Sequence, residues 1–320
     1  MPRDINYLRV SITDRCNLRC FYCTHWSGWE KLPAPEILRY EELLRLAAVA
    51  ASVGIRKVRV TGGEPLVRRD VVEFIRALHQ IPGLNQICLT SNGVRLAEMA
   101  PDLYATGLRH INLSLDTLRR DRYRELTGGD HLPEVLAGLD RAAALGFHPL
   151  KINCVVLKGI NDDELPDFVR LAREHPYQVR FIEFMPSVSR ERWQSHFLPV
   201  EELRRRLAEL GPGTPVRRGS AAGPAQIFRF PGFRGELGFI STVSEHHCPT
   251  CNRLRLTAAG RLRPCLFAAP ELDLKGPLRQ GATDEELGEL FRRAMRQKLA
   301  DNGRGGNCLL PGRAMVSIGG

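Results

Sequence analysis

Six cysteines fall into two tight groups, Cys16-x3-Cys20-x2-Cys23 near the start of the chain and Cys248-x2-Cys251-x13-Cys265 near its end. Cys88, Cys154 and Cys308 stand alone, making nine in all. An odd count, with no apolar signal core in the first ten residues, argues against a disulfide framework and for metal or redox chemistry. Three thiols within eight residues are too close for separate zinc sites and one donor short of a structural zinc. His25 would complete such a site, and a redox thiol cluster is a further reading. Three is the number wanted if a [4Fe-4S] cube is to keep one iron open to a small molecule. The second group has a zinc-ribbon flavour, with His246, His247 or Cys308 as fourth donor, and spacing alone leaves zinc open there.

These residues need a scaffold, and the segments between the two groups supply an alternating one. Residues 8–12, 57–61, 86–91, 110–115, 150–156 and 179–184 are apolar and rich in Val and Ile, and read as strands. Residues 41–53, 69–78, 133–145 and 164–173 carry helical periodicity, the first stopping at Gly54. Strand-then-helix alternation predicts an α/β chain whose parallel sheet curls into an incomplete (β/α)6 TIM-like barrel. Function in such barrels gathers at the C-terminal strand ends, where Cys16, Gly62, Gly63, Ser91, Asn92, Asp116 and Met185 lie. Beyond Leu198 the alternation stops. Residues 211–224 read as a linker or exposed loop, followed by strands at 226–230, 237–241 and 253–257 and a helix at 284–298. The expected division is therefore 1–198, a partial barrel, and 199–320, a smaller α+β part carrying the second cysteine group.

Cys16, Cys20 and Cys23, with Tyr22 just before the last, resemble the signature of the radical S-adenosylmethionine superfamily. In that superfamily an open iron chelates the amino and carboxylate groups of S-adenosylmethionine, and one electron splits the sulfonium to a 5′-deoxyadenosyl radical. Gly62-Gly63-Glu64-Pro65 resembles the superfamily's glycine-rich edge that accepts the cofactor's amino group, and Ser114 and Met185 match its ribose and adenine contacts. The sequence from His247 through Phe267 closely resembles the second-cluster region of the GTP 3′,8-cyclase family of molybdenum-cofactor biosynthesis. There a second [4Fe-4S] cluster, again on three cysteines, takes the substrate's guanine. The likeness extends through Leu8–Cys16, Arg59–Pro65, Lys158–Asp162, Arg180–Met185 and the terminal Gly319-Gly320. Thr24-His25 departs from it, standing where the family usually has Met-Pro.

The resemblance implies a lyase that turns GTP into (8S)-3′,8-cyclo-7,8-dihydroguanosine 5′-triphosphate. The radical takes hydrogen from C3′ of the ribose, the carbon radical adds to C8, and an electron and a proton complete the product. It implies GTP contacts at Arg9, Arg59, Thr90, Lys151, Arg253, Leu254 and Arg255, with Lys57 and Arg180 joining the phosphate set. The tail Gly319-Gly320 would thread into the catalytic cavity. It further implies an external one-electron donor of flavodoxin or ferredoxin type and a downstream cyclic pyranopterin monophosphate synthase.

Charge and composition agree with such a reading without demanding it. A net charge of +10 favours anionic partners, and no P-loop is present to cradle phosphates, so side-chain cations must do so. Lys57 and Arg59 alternate with valines, as Arg253 and Arg255 do with leucines, so each pair shares one strand face. A cation on a strand covered on both faces has no cheap place unless an anion waits inside. A 43% apolar, 26% charged chain is ordinary for a globular protein, which excludes a disordered or fibrous one. No apolar stretch is long enough for a membrane helix. The expectation is a cytoplasmic monomer or homodimer that binds neither membrane nor nucleic acid. Three other readings are another twin-cluster radical enzyme, a two-cluster electron carrier and a basic zinc-binding nucleic-acid protein. Arg204–Arg206 reads as a solvated helix face, and Cys88 and Cys154 as buried thiols.

Overall fold

The structure, a computed structural model, describes residues 4–23, 31–216, 219, 223–245, 248–267, 271–300 and 315. Gly319, Gly320, Thr24, His25, His246, His247 and Cys308 lie outside the described residues.

The six expected strands are present, each within one residue of the expected ends: β1 (Tyr7–Ser11), β2 (Lys57–Thr61), β3 (Gln86–Ser91), β4 (His110–Ser114), β5 (Lys151–Val156) and β6 (Gln178–Glu183). They pair in parallel and in sequence order. The C-terminal strands are β7 (Thr214–Pro215), β8 (Gln226–Arg229), β9 (Glu236–Ile240), β10 (Arg253–Leu256), β11 (Arg261–Arg263) and β12 (Leu272–Asp273). They do not form a sheet of their own. Instead β9 adds in parallel to β6, and β10 adds in parallel to β1. The result is one 12-stranded sheet in the order β12-β11-β10-β1-β2-β3-β4-β5-β6-β9-β8-β7, left open at both ends.

Helices return the chain between the parallel strands: α1 (Tyr40–Ser52), α2 (Val71–Leu78), α3 (Leu96–Ala105), α4 (Arg120–Thr127), α5 (Leu132–Ala144) and α6 (Leu165–Glu174). A capping box at Arg39 and Glu42 starts α1, and Gly54, at φ +107°, ends it in a conformation that only glycine adopts cheaply. The sequence signals missed α3, which carries Pro101 inside it, and α4, whose RDRYRELT stretch buries only Tyr123, Leu126 and Thr127. Further along come α7 (Arg190–His196), α8 (Val200–Arg206), α9 (Lys275–Arg279) and α10 (Asp284–Ala300). Arg204, Arg205 and Arg206 lie on α8 and pair with Glu245, Glu202 and Asp162. Helix α10 packs on α1, with Arg45 bonded to Asp284 at 2.8 Å.

Alternation along the strands sorts the two faces. Leu8, Val10, Val58, Val60, Leu89, Ile111, Leu113 and Ile152 belong to the main apolar core, which the helices cover. The opposite face carries Arg9, Lys57, Arg59, Thr90, Asn112, Lys151 and Arg180, and all of these line one cavity. Barrel interiors are usually filled by Val, Ile and Leu. Here the interior is polar and cationic, and the strands curl around a space rather than a packed centre.

Candidate active site

The cavity has a volume of about 320 Å³, within the range of small-molecule sites. Every sequence-predicted site residue among the described ones lines it, except Leu254. That side chain is fully buried in the apolar core, because strand alternation turns it away from the face that Arg253 and Arg255 share. Only its backbone is left for a ligand.

The loop carrying the first cysteine group follows β1 and is fixed from beside it by the Gly62-Gly63-Glu64 turn after β2. Gly63 N donates to Thr13 O at 2.7 Å, and Glu64 N donates to Arg15 O at 2.8 Å. A Cβ at Gly63 would sit 2.4 Å from Arg15 O, and one at Gly62 would sit 2.8 Å from Thr13 O. The glycines are thus required by the backbone of the cysteine loop itself, in addition to bordering the cavity. Glu64 accepts from Leu66 N, Ser91 Oγ and Asn92 N at 2.9, 2.9 and 2.6 Å. Burial nevertheless pushes its carboxyl up to about 7. Asn92 Nδ2 in turn reaches Cys16 Sγ at 3.8 Å. On the other side Tyr22 donates its hydroxyl to Asp116, which also accepts Val155 N at 2.8 Å. Ser187 Oγ donates to Tyr22 O at 2.6 Å. Asp116 lies at the end of β4, and burial pushes it up to about 6.

The second group comes from the other end of the chain. Cys248 opens a short turn closed by Cys251 N donating to Cys248 O at 3.2 Å, and Cys265 follows β11. Burial opposes ionisation at Cys251, but Arg253 and Lys298 overcome it and bring the thiol down to about 6. At Cys16 burial prevails and pushes the thiol up to about 11. Leu266, Met315, Met185 and Phe267 form an apolar seam against Cys23. The two cysteine groups therefore share one chamber, and the tail reaches it at Met315. Among the described residues none of the six forms a disulfide and all are partly exposed, whereas Cys88 and Cys154 are buried, as expected of core thiols. Among the described residues no three His, Cys, Asp or Glu side chains converge on a single-ion geometry. Two triplets of accessible thiols around a chamber fit a pair of larger clusters, each short of one protein donor.

Between the triplets lie the cations. Arg9, Arg59 and Arg255 stand side by side in register on β1, β2 and β10. Lys151 is beside Asn112 on β4, and Arg180 beside Asn153 on β5. Burial lowers Arg9 to about 10, and burial with repulsion from Arg180, Arg59 and Lys57 lowers Lys151 to about 7. So many like charges in a low-dielectric space store repulsion that an anion would relieve. Asn112 Oδ1 and Asn153 Oδ1 are buried with no hydrogen-bond partner among the described residues, and both residues face the chamber. Such orphaned acceptors suit a ligand that carries donors as well as charge.

Sequence reasoning missed Tyr7, Asn112, Asn153 and Lys298 as lining residues, and Glu64 and Asp116 as buried carboxylates. Lys298 had a usable signal. It continues the buried stripe Leu287, Phe291 and Ala294 of α10, and its Nζ donates to Pro264 O at 2.8 Å.

Comparison with known proteins agrees with this geometry. Residues 10–172 match the Radical SAM superfamily model, and residues 177–303 match Molybdenum Cofactor Synthesis C. A protein of Moorella thermoacetica named GTP 3′,8-cyclase is 48% identical over 318 residues, covering 99% of this chain and 98% of the relative. One of Geobacter sulfurreducens with the same name is 47% identical over 291 residues, covering 91% of this chain and 89% of the relative. In fold the chain is similar to Streptococcus suis SuiB bound to S-adenosylmethionine, with a TM-score of 0.60 at 16% identity, covering 90% of this chain and 68% of that one. With family models over both halves and near-half identity along almost its whole length, the chain belongs to the GTP 3′,8-cyclase family of the radical S-adenosylmethionine superfamily.

Proposed function

We propose that the protein is a radical S-adenosylmethionine lyase that converts GTP to (8S)-3′,8-cyclo-7,8-dihydroguanosine 5′-triphosphate, the first step of molybdenum-cofactor biosynthesis. It uses two [4Fe-4S] clusters and S-adenosylmethionine. The observation that carries the reading is the single chamber with a thiol triplet from each end of the chain and a row of buried cations between them.

Cys16, Cys20 and Cys23 hold the first cluster, and Cys248, Cys251 and Cys265 the second. The chemistry supplied when the first cluster and S-adenosylmethionine are bound is one-electron cleavage of the sulfonium to a 5′-deoxyadenosyl radical. The chain's own work is positional. Gly62, Gly63, Tyr22, Ser114 and Met185 border the S-adenosylmethionine end. Arg9, Lys57, Arg59, Lys151, Arg180, Arg253 and Arg255 clamp the triphosphate, helped by Thr90 and the Leu254 backbone. By the family resemblance, Gly319 and Gly320, which lie outside the described residues, serve the catalytic step. Residues 1–198 thus bind the cofactor and much of the substrate, while residues 199–320 supply the second cluster and the tail. Fixing the ribose against the cofactor in a water-poor space is the main catalytic contribution a protein makes to such a reaction.

Partners follow from the same chemistry. An external one-electron donor, of flavodoxin or ferredoxin type, and a downstream cyclic pyranopterin monophosphate synthase complete the route, with the enzyme a cytoplasmic monomer or homodimer. Among the described residues no helix is long and apolar enough to cross a membrane. The cations line an interior chamber rather than an outer face, which speaks against a nucleic-acid surface.

The deciding assay is anaerobic: iron and sulfide are counted, then dithionite and S-adenosylmethionine are added with and without GTP. Stoichiometric cyclised nucleotide together with deoxyadenosine supports the proposal. Deoxyadenosine release that is indifferent to GTP, with no cyclised product, rejects GTP as substrate.

Lys151 gives a second prediction. Its free-state value of about 7 rises when a triphosphate lies beside it. Below that pH the ammonium is already present; above it, binding must take up a proton. Calorimetric titration of GTP near pH 8 in buffers of different ionisation enthalpy is expected to reveal net proton uptake, and GTP affinity falls as pH rises past about 7. The Lys151→Met variant loses that uptake. Buffer-independent heats in the wild type contradict it.

A further inference from the structure

We propose that Tyr7 is a positioning residue for the phosphate clamp, holding Arg9, Arg59 and Lys57 in a binding-ready arrangement without the full countercharge a carboxylate would bring. The proposal rests on the reading of these cations as the triphosphate site. Tyr7 opens β1, is only 3% exposed and lines the chamber, in register with Lys57 on one side and Arg253 on the other. Its hydroxyl oxygen accepts Arg59 Nε at 2.5 Å, and Arg9 also hydrogen-bonds its side chain. Lys57 Nζ lies 4.8 Å from the centre of the ring. Arg59 is held at its other end by Leu89 O at 3.0 Å, so its plane is fixed by two acceptors.

The chemistry of the residue matters here. Three cations this close repel one another, and without acceptors they would splay or draw in counter-charge. A carboxylate at this place would gather them but cancel the charge that the substrate needs. A phenol offers one hydroxyl oxygen as acceptor to two guanidiniums, which, against the opposing effect of burial, hold it with Lys57 below the ordinary phenol range, and a π face to the ammonium. It therefore organises the clamp at a smaller loss of positive potential than a carboxylate would cause, a form of preorganisation whose benefit appears on binding.

The test uses anaerobically reconstituted holoenzyme and three probes: GTP, guanosine and inorganic triphosphate. Tyr7→Phe keeps the ring and removes the oxygen. It is expected to weaken GTP and inorganic triphosphate about tenfold, which corresponds to about 1.4 kcal/mol. Guanosine binding, iron content and kcat stay within about twofold, the melting temperature is unchanged, and KM for GTP carries the change. Tyr7→Glu, which places a competing anion among the cations, is expected to weaken both phosphate probes by more than about 100-fold. Unchanged phosphate binding in Tyr7→Phe overturns the proposal whatever Tyr7→Glu does, as does equal weakening of guanosine and GTP, which marks a merely structural role. If the wild type binds inorganic triphosphate but not GTP, and Tyr7→Phe weakens it, the clamp stands while the substrate assignment fails. Absence of any wild-type affinity for inorganic triphosphate sinks the clamp itself.

Discussion

Cys251→Ser is expected to abolish cyclised product while leaving reductive cleavage of S-adenosylmethionine in place. Cys251 reaches the chamber from the turn before β10, far in sequence from the loop after β1, and its thiolate is favoured by Arg253 and Lys298. A serine hydroxyl has no comparable acidity and is a poor cluster ligand, so the second triplet loses a donor. The first triplet keeps its own supports, Gly63, Asn92 and the Tyr22–Asp116 pair, none of which involves the C-terminal strands. Iron should fall from about eight to about four atoms per chain. Deoxyadenosine release with dithionite continues, and cyclisation drops by more than about 100-fold because the base is no longer held. Cys20→Ser is the mirror case, with both activities lost. Equal loss of cleavage in the two variants would mean that the triplets act as one site.

Gly63→Ala is the second large effect, although it removes nothing. The added methyl would lie 2.4 Å from Arg15 O and 2.7 Å from Arg15 C, and neither atom belongs to a side chain that can swing aside. Relief requires moving the segment from Thr13 to Cys16, which is bonded to the glycine turn at 2.7 and 2.8 Å. Overpacking of this kind costs about 1–3 kcal/mol. The displacement passes straight to a proposed cluster ligand, and misplacement by about 1 Å costs on the order of 100-fold in rate. The expected result is a folded protein with depleted first-cluster iron and deoxyadenosine formation lowered about 100-fold, in the presence or absence of GTP. Wild-type cleavage rates would show that the turn is only a loop.

The six central strands were legible because their outward faces, such as Leu8 and Val10 or Val58 and Val60, are apolar at a spacing of two and end at turn residues. What pattern alone could not carry was pairing at a distance. Nothing local to Glu236–Ile240 or Arg253–Leu256 says that one strand will extend the sheet beyond β6 and the other beyond β1, because partners far apart in sequence leave no mark on either segment. That pairing is what brings Cys248, Cys251, Arg253 and Arg255 to the same chamber as Cys16.

The site was legible where residue type and spacing were unusual, as with the cysteine triplets, the paired glycines and the cations inside strands. Tyr7 was missed because a tyrosine in a strand is ordinary, and its role depends on two arginines and a lysine from β1 and β2 meeting around it. Glu64 stood in the glycine-rich motif and Asp116 at a strand end, but the burial that raises their carboxyls exists only after folding. Leu254 went the other way. A matched motif position turned out to point into the core.

The proposed reaction depends on one arrangement, in which the ribose of GTP is held against the S-adenosylmethionine end of the chamber. Deuterium placed at C3′ of GTP tests it most directly, by mass spectrometry of the deoxyadenosine formed in a single turnover under anaerobic, reducing conditions. Deuterated deoxyadenosine in equal amount to cyclised nucleotide is the expected result. Unlabelled deoxyadenosine alongside that product would contradict it.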